Sequence, residues 1–497
     1  MYTMTSVASG PSSVARSHAQ LSSKDRFAPG TLYVAGMAAA TVILLLSPVS
    51  SVLLYGFPLM SLVVATCLYR RNLPLYVSLV CWLWFLTPFV RRVVDYRAGW
   101  IPATVVQLAP LLAVCAPVLW LIIDWRKVIQ RSMAPLLCIL ATCLYATILG
   151  LINFQPMLVF QDLLNWLAPI IFALTLYRHR DEAAEMFRAF EKAFIYGTLV
   201  VAIYGVVQFF FLPAWDVLWM LETRNSSMGI AKPTEARTFS TMNGPQIMAA
   251  FLVVGLLLAF NSRRRIRFLA IPLGLLCLTL SLARSGWIAM AAGLVYLLVK
   301  MPQKQRVQIV VIAVLSVVAV LFAMQDPDLN KVLTKRFDTL SDVRDDGSFL
   351  DRMEGYRGAF AGFVNEPYGY GMGAAPAQNL EPGASLGLSH DGQSVPLGDS
   401  TLVTIMTTMG SGAGLIFLGA FLPLISGVFR RPTGSPVYTR TMLAALIGFM
   451  AESMLCLVLS GPIGFLFWAS VGFCIAFSQE ADQEQSLATP VVAAAAA

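Results

Sequence analysis

Three arginines stand in settings that suit the binding of an anion. Arg284 lies in LTLSLARSGWIAMAAGL, where only Ala283, Arg284 and Ser285 separate two hydrophobic runs. A guanidinium there sits at the end of a tight helical hairpin, and an ionisable group near hydrocarbon costs up to ~3 kcal/mol at mid-bilayer. It either snorkels to the headgroups or faces a water-filled cavity and binds an anion. Arg237 lies in ARTFSTMNGPQIMAAFL, just ahead of a helix start at Gly244-Pro245 with Asn243 near the capping position. A helix N-terminus beside a guanidinium favours anions; the plainer reading pairs Arg237 with Glu235 or Asp216. Arg352 lies in SFLDRMEGYRGAFAGFVNEPYGYGMG, where Ser348 and Asp351 open a helix and Arg352, Tyr356 and Phe360 recur at spacing four along one face. Arginines converging at one membrane face suit bidentate recognition of phosphate.

The elements that must position these residues are membrane helices. With 57% apolar residues, 12% charged residues and a mean hydropathy of +0.71, the chain lies far outside the range of soluble domains. Apolar runs of bilayer-crossing length recur along it, so the expected fold is an all-α polytopic membrane protein with about fourteen transmembrane helices. The expected organisation is a disordered tail over 1–28, helices one to eleven over 29–324, a large polar loop over 325–399, helices twelve to fourteen over 400–478, and a second tail over 479–497. Of the 35 Lys and Arg, 22 fall in the tails and short loops of one side, 7 in short segments of the other, and the remaining 6 in the long loop. Short cytoplasmic loops are enriched in these residues, which predicts that both termini are cytoplasmic and the long loop is outside. The seven outer basics are Arg91, Arg92, Arg97, Arg224, Lys232, Arg237 and Arg284; Arg91 joins the candidate substrate-binding residues on that ground. The net charge of +8 is then topology signal, and no nucleic-acid partner is called for.

Other chemistries find no residues. All eight cysteines fall in expected spans and none in the outer loop, which predicts no disulfide framework. Three scattered histidines, His18, His179 and His390, predict no metal centre. No phosphate-cradling Gly loop followed by Lys-Ser/Thr is present, and no cofactor is expected. Aromatic residues near the outer face, Trp215, Trp219, Tyr368 and Tyr370, suit stacking on sugar rings or an interfacial belt.

At the three arginine segments, over roughly residues 230–420, the chain resembles the O-antigen ligase and Wzy-type polysaccharide polymerase superfamily. Arg237, Thr238, Phe239 and Asn243 match an Arg-Thr-Phe…Asn pattern before a span. Leu282-Ala283-Arg284-Ser285-Gly286-Trp287 matches a Ser-Arg-Ser-Gly-like hairpin, with Ala in place of the first Ser. Arg352, Tyr356, Pro367, Gly369, Gly371 and Gly373 match an Arg, an aromatic four on, and a Pro-x-x-Gly-x-Gly turn in the large loop. One departure stands out: the register of the ligase His-Asn pair holds Asp399 and Ser400, with His390-Asp391 upstream.

The resemblance implies a bacterial inner-membrane glycosyltransferase, which moves a glycan from a polyprenyl-diphosphate carrier to an acceptor hydroxyl at the periplasmic face. Arg237 and Arg284 are then candidates to clamp the diphosphate leaving group, with Ser285 and Asn243 beside them. Arg352 and Tyr356 would hold sugar or diphosphate from the loop side. Asp399 would accept the acceptor's proton, unless it merely caps the next helix; His390 is the second candidate at that end. The substitution of the ligase histidine favours a polymerase of lipid-linked repeat units over an O-antigen ligase. Implied partners are the lipid-linked oligosaccharide, inner-membrane lipids, a flippase and a chain-length regulator. The competing class is a transporter of anionic lipid-linked sugars, disfavoured by the lack of visible half-to-half symmetry.

Overall fold

The computed structural model describes residues 13–101, 104–125, 134–223, 226–323, 347–365, 367–373, 386–388, 394–396, 400–430 and 436–496. They form a helical bundle: α1 (Ser13–Leu46), α2 (Leu53–Arg71), α3 (Leu73–Ala98), α4 (Ala109–Cys115), α5 (Val118–Ile123), α6 (Ala134–Asn153), α7 (Pro156–Arg178), α8 (Ala183–Phe211) and α9 (Ala214–Thr223). After these come α10 (Pro245–Asn261), α11 (Arg267–Ser281), α12 (Arg284–Lys300), α13 (Gln303–Ala323), α14 (Gly347–Asn365), α15 (Thr401–Arg430), α16 (Pro436–Glu452) and α17 (Gly461–Ala496). The described part of the long loop also holds a small antiparallel hairpin, β1 (Leu386–Leu388) and β2 (Ser394–Pro396).

Among the described residues, eight stretches are long and apolar enough to cross a membrane: Ser50–Arg71, Leu73–Ala98, Val105–Ile123, Ala134–Asn153, Pro156–Arg178, Arg180–Phe211, Thr401–Arg430 and Gly461–Ser478. Three shorter apolar helices, Gly30–Leu46, Pro245–Asn261 and Arg267–Ser281, accompany them. The chain is therefore an all-α, multi-pass membrane protein. Helices also occupy the remaining expected spans, as α12, α13 and α16. Details differ from the expectation where local chemistry intervenes. The run over 105–123 divides into α4 and α5 at Ala116-Pro117, because proline has no N–H to continue the ladder. The expected span 441–459 ends instead at Glu452, where Leu455 N and Cys456 N turn back to donate to Glu452 O. The backbone of 13–28 and of 479–496, expected as disordered tails, is helical and continues α1 and α17. Once a membrane helix is nucleated, adding residues such as Gln and Ala costs little.

The core is built around α10. From Met248 to Phe260 every residue of this helix is buried, as expected for a helix that is apolar on all sides. It touches α8, α11, α12, α16 and α17. Small residues bring α12 and α16 together: Gly448 lies against the backbone of Ala289, and Gly293 against Ala444 O. This is the small-residue packing of membrane helices, in which van der Waals contact replaces the absent hydrophobic drive.

The long loop returns into the bundle rather than lying on it. Tyr370 N and Gly371 N donate to Thr407 O and Thr408 O of α15, and Met372 N donates to Ala146 O of α6, at 2.8, 3.0 and 2.8 Å. Gly373 N donates to the buried Asp162 carboxylate of α7 at 2.9 Å. To receive this turn, α15 breaks at Gly410, which sits at φ 66° and ψ −168°, and Ser411 N donates to Pro367 O. Irregular backbone at membrane depth survives only where protein satisfies it, as here. Gly371, at φ +84°, faces the backbone of Gly150 with no room for a Cβ. Gly371→Ala is therefore expected to destabilise the docked turn by at least about 1–3 kcal/mol from backbone strain alone. The readout is a lower thermal midpoint in detergent with new protease cleavage around 367–373; an unchanged midpoint would contradict the docking.

Candidate functional site

The hairpin carrying Arg284 is set by side-chain and backbone bonds at the end of α11. Leu282 adopts a left-handed φ of 53°, Ser281 Oγ accepts from Ala283 N at 3.2 Å, and Trp287 Nε1 donates to Leu278 O at 3.2 Å. Arg284 then opens α12, and Gly286 lets the helix approach Ala249 of α10. The segment that carries Arg237 arrives from the other direction. It pairs with the preceding loop through the Gly229–Ala236 bridge and Arg237 N to Met228 O at 2.8 Å. One residue on, Thr238 N donates to Leu280 O at 3.3 Å. That bond fastens the Arg237 segment to the base of the Arg284 hairpin, so two of the three predicted arginines belong to adjoining pieces of backbone.

Asn243 differs from its expected role. Gly244 is the cap residue of α10, with extended backbone and no side-chain cap bond. Asn243 instead accepts through its backbone O from Trp219 Nε1 at 3.3 Å. Pro245 suits the first helical position, where its fixed φ is already helical and its missing N–H would have had no intrahelical partner.

A second arginine pair shapes the surroundings. Arg91 is buried, donating from Nε to Asp95 at 3.1 Å and from Nη2 to Ile101 O at 3.1 Å. Its guanidinium carbon lies 5.2 Å from the Trp100 ring and 4.8 Å from the Trp219 ring, an aromatic setting that holds the cation. Arg92 is deeper: it forms an ion pair with Asp216 and donates to Ser240 O. Asp216 Oδ2 also accepts from Tyr204 at 2.7 Å and Gln208 at 2.8 Å. The alternative partner considered for Arg237, Asp216, is thus engaged by Arg92.

On the loop side, Tyr356 of α14 donates to Met454 O at 2.8 Å, in the turn after α16. Thr401 N donates to Ser453 O in that same turn, and Thr401 Oγ1 to Cys456 O at 2.9 Å. The start of α15 is capped by Ser400, whose Oγ accepts from Val403 N at 3.2 Å. The Arg352 side chain, Asp399 and His390 lie outside the described residues. Glu452 stands at the end of α16 beside these contacts. Since Ala444 faces Gly293 and Gly448 faces Ala289, one further turn of this antiparallel register puts Glu452 level with Ser285.

Several polar atoms around these segments are buried and make no hydrogen bond to the protein: Thr238 Oγ1, Thr241 Oγ1, Asn243 Oδ1, Ser285 Oγ and Glu452 Oε1. Buried polar groups are nearly always partnered, because an unmet one costs about 1–3 kcal/mol. Clustered on the Arg237 segment, the Arg284 hairpin and the facing end of α16, they suit a polar ligand that supplies both donors and acceptors. Sequence reading passed over Gln208 and Glu452, named Asp216 only as a partner for Arg237, and saw Arg92 only as a topology exception. The available signal was a lone polar or ionisable residue in an apolar run, as in VVQFFF and FMAESML.

Residues 268–394 match the family model described as O-antigen ligase. The matched stretch carries Arg284, Ser285, Arg352, Tyr356 and His390, and it starts downstream of Arg237 and Asn243. The match falls on the Arg284 and Arg352 segments and agrees with the resemblance to the O-antigen ligase and Wzy-type superfamily seen there. No curated protein matches the chain.

Proposed function

We propose that the protein polymerises polyprenyl-diphosphate-linked oligosaccharide repeat units at the periplasmic face of a bacterial inner membrane, with Arg237 and Arg284 holding the diphosphate leaving group. The observation that carries this reading is the Thr238–Leu280 bond, which joins the two arginine segments beside a set of buried, unbonded polar atoms. As the glycosidic bond breaks, negative charge develops on the diphosphate. Fixed guanidinium donors stabilise it without reorganising. Tyr356 of α14 donates to Met454 O in the turn after α16, and Arg352, four residues earlier in the sequence, would hold sugar or diphosphate with it. The acceptor hydroxyl loses its proton to a carboxylate at the start of α15 or the end of α16, Asp399 or Glu452. A growing lipid-linked chain is the donor and a new lipid-linked unit the acceptor, supplied by a flippase and governed by a chain-length regulator. The second reading, an O-antigen ligase that delivers glycan to a lipid A core or a protein, is supported by the match of residues 268–394 to the O-antigen ligase family.

In this reading all fourteen apolar helices cross the membrane and both termini are cytoplasmic. The basic-residue asymmetry supports it. A topology reporter fused after Lys300 is expected to report cytoplasm, and one inserted near Gly383 periplasm. The opposite readings would put the arginine segments in the wrong compartment and end the proposal.

A further inference from the structure

Resting on the clamp reading above, we infer that Arg92, Asp216 and Gln208 are positioning residues, which fix the peptide at Phe239–Ser240 and so set where Arg237 presents its guanidinium. Gln208 projects from α8 and its Oε1 accepts from both Phe239 N, at 2.9 Å, and Ser240 N, at 2.7 Å. Its other end donates to Asp216 at 2.8 Å, which fixes the orientation of the amide. Arg92 holds the same two-residue stretch, donating from Nη2 to Ser240 O, to which Gln208 Nε2 also donates at 3.5 Å, while Ser240 Oγ donates to Val201 O at 2.6 Å. Three helices, α3, α8 and α9, therefore converge on two residues of loop.

Two features separate this device from ordinary packing. Ser240 holds a left-handed φ of 51°, a conformation a residue with a Cβ keeps only where its surroundings over-determine it, and such strain gathers at functional sites. The second is that all three nitrogens of the buried Arg92 guanidinium are engaged within the protein. Its Nη1 goes to Asp216, its Nη2 to Ser240 O and its Nε to Pro88 O, and its guanidinium carbon lies 5.0 Å from the Phe239 ring. With a relative exposure of 1%, Arg92 acts through the loop and not on the substrate. Arg237 precedes Phe239 by two residues and Ser240 by three, so a shift at the gripped stretch moves it directly.

The test uses the full-length protein in lipid nanodiscs with farnesyl diphosphate as the probe. Gln208→Met keeps the length of the side chain and loses both acceptor bonds. Gln208→Glu, protonated beside Asp216, keeps the two acceptor bonds and an O–H to donate. Expected for Gln208→Met is hydrogen exchange at the Phe239 and Ser240 amides faster by about tenfold or more, and affinity for farnesyl diphosphate weaker by a similar factor. Gln208→Glu should restore both. Gln208→Met combined with Arg237→Ala should bind no worse than Arg237→Ala alone, since a positioning residue has nothing left to position. Unchanged exchange in Gln208→Met, or additive losses in the double variant, would overturn the inference while leaving the clamp intact. Normal binding by Arg237→Ala would overturn the clamp instead, and exchange at 239–240 would still decide whether Gln208 holds the segment.

Discussion

Cells whose only copy carries Arg284→Ala or Arg237→Ala are expected to make no polymer, although each variant inserts and accumulates normally. Removing one fixed donor from developing negative charge lowers a rate by about a hundred- to a thousand-fold. A defect of that size leaves no long chains on the time scale of growth. Arg284→Lys and Arg237→Lys should recover little, because an ammonium is a point charge without the fork that engages two oxygens at once. Insertion should survive because neither residue carries the packing: α12 is fastened by Gly286 on Ala249 and by the Gly293 and Gly448 contacts with α16, and the Arg237 segment by its Gln208 and Arg92 bonds. Membrane fractionation, with gels of surface polysaccharide, checks both halves. Normal polymer from both alanine variants would remove the clamp.

The second large effect concerns the proton of the acceptor hydroxyl. Asp399→Asn keeps size and loses charge, and if Asp399 is the base it should cost about a hundred- to ten-thousand-fold in rate. Single lipid-linked units would then accumulate while long polymer disappears. A capping role for Asp399 predicts almost nothing, since loss of a cap costs only ~1 kcal/mol and Asn caps as well as Asp. That role is also filled, because Ser400 Oγ already accepts from Val403 N. Glu452→Gln is the companion variant. If the carboxylate level with Ser285 is the base instead, Glu452→Gln takes the large loss and Asp399→Asn the small one. His390→Ala is expected to be the mildest of the three. Full-length polymer from both carboxylate variants beside a dead His390→Ala would return the role to the histidine.

What the sequence exposed was what repeats locally. Apolar runs located the helices, because each must present about twenty apolar residues to cross. The hairpin at Ala283–Ser285 was legible because an arginine there interrupts two apolar runs. The break of α15 at Gly410 was not legible, as Thr407–Ser411 lies inside the helices expected over 400–478 and only the docked turn 367–373 explains a break there. Nor was the Arg92–Asp216–Gln208 set, in which Arg92 stands 124 residues from Asp216 and meets it only through packing. Asn243 was misread for a smaller reason: the Gly-Pro that follows it moves the cap by one residue. Glu452 carried a signal, one acid in an apolar run, that the arginines overshadowed.

The most direct test gives purified protein in nanodiscs a lipid-linked oligosaccharide, without nucleotide, and follows both products of the transfer. The account predicts a lengthened lipid-linked glycan together with an equal amount of free polyprenyl diphosphate, and neither product from Arg284→Ala. Recovery of the lipid-linked oligosaccharide chemically unchanged, but moved across the bilayer of a sealed vesicle by the wild-type protein, would contradict it.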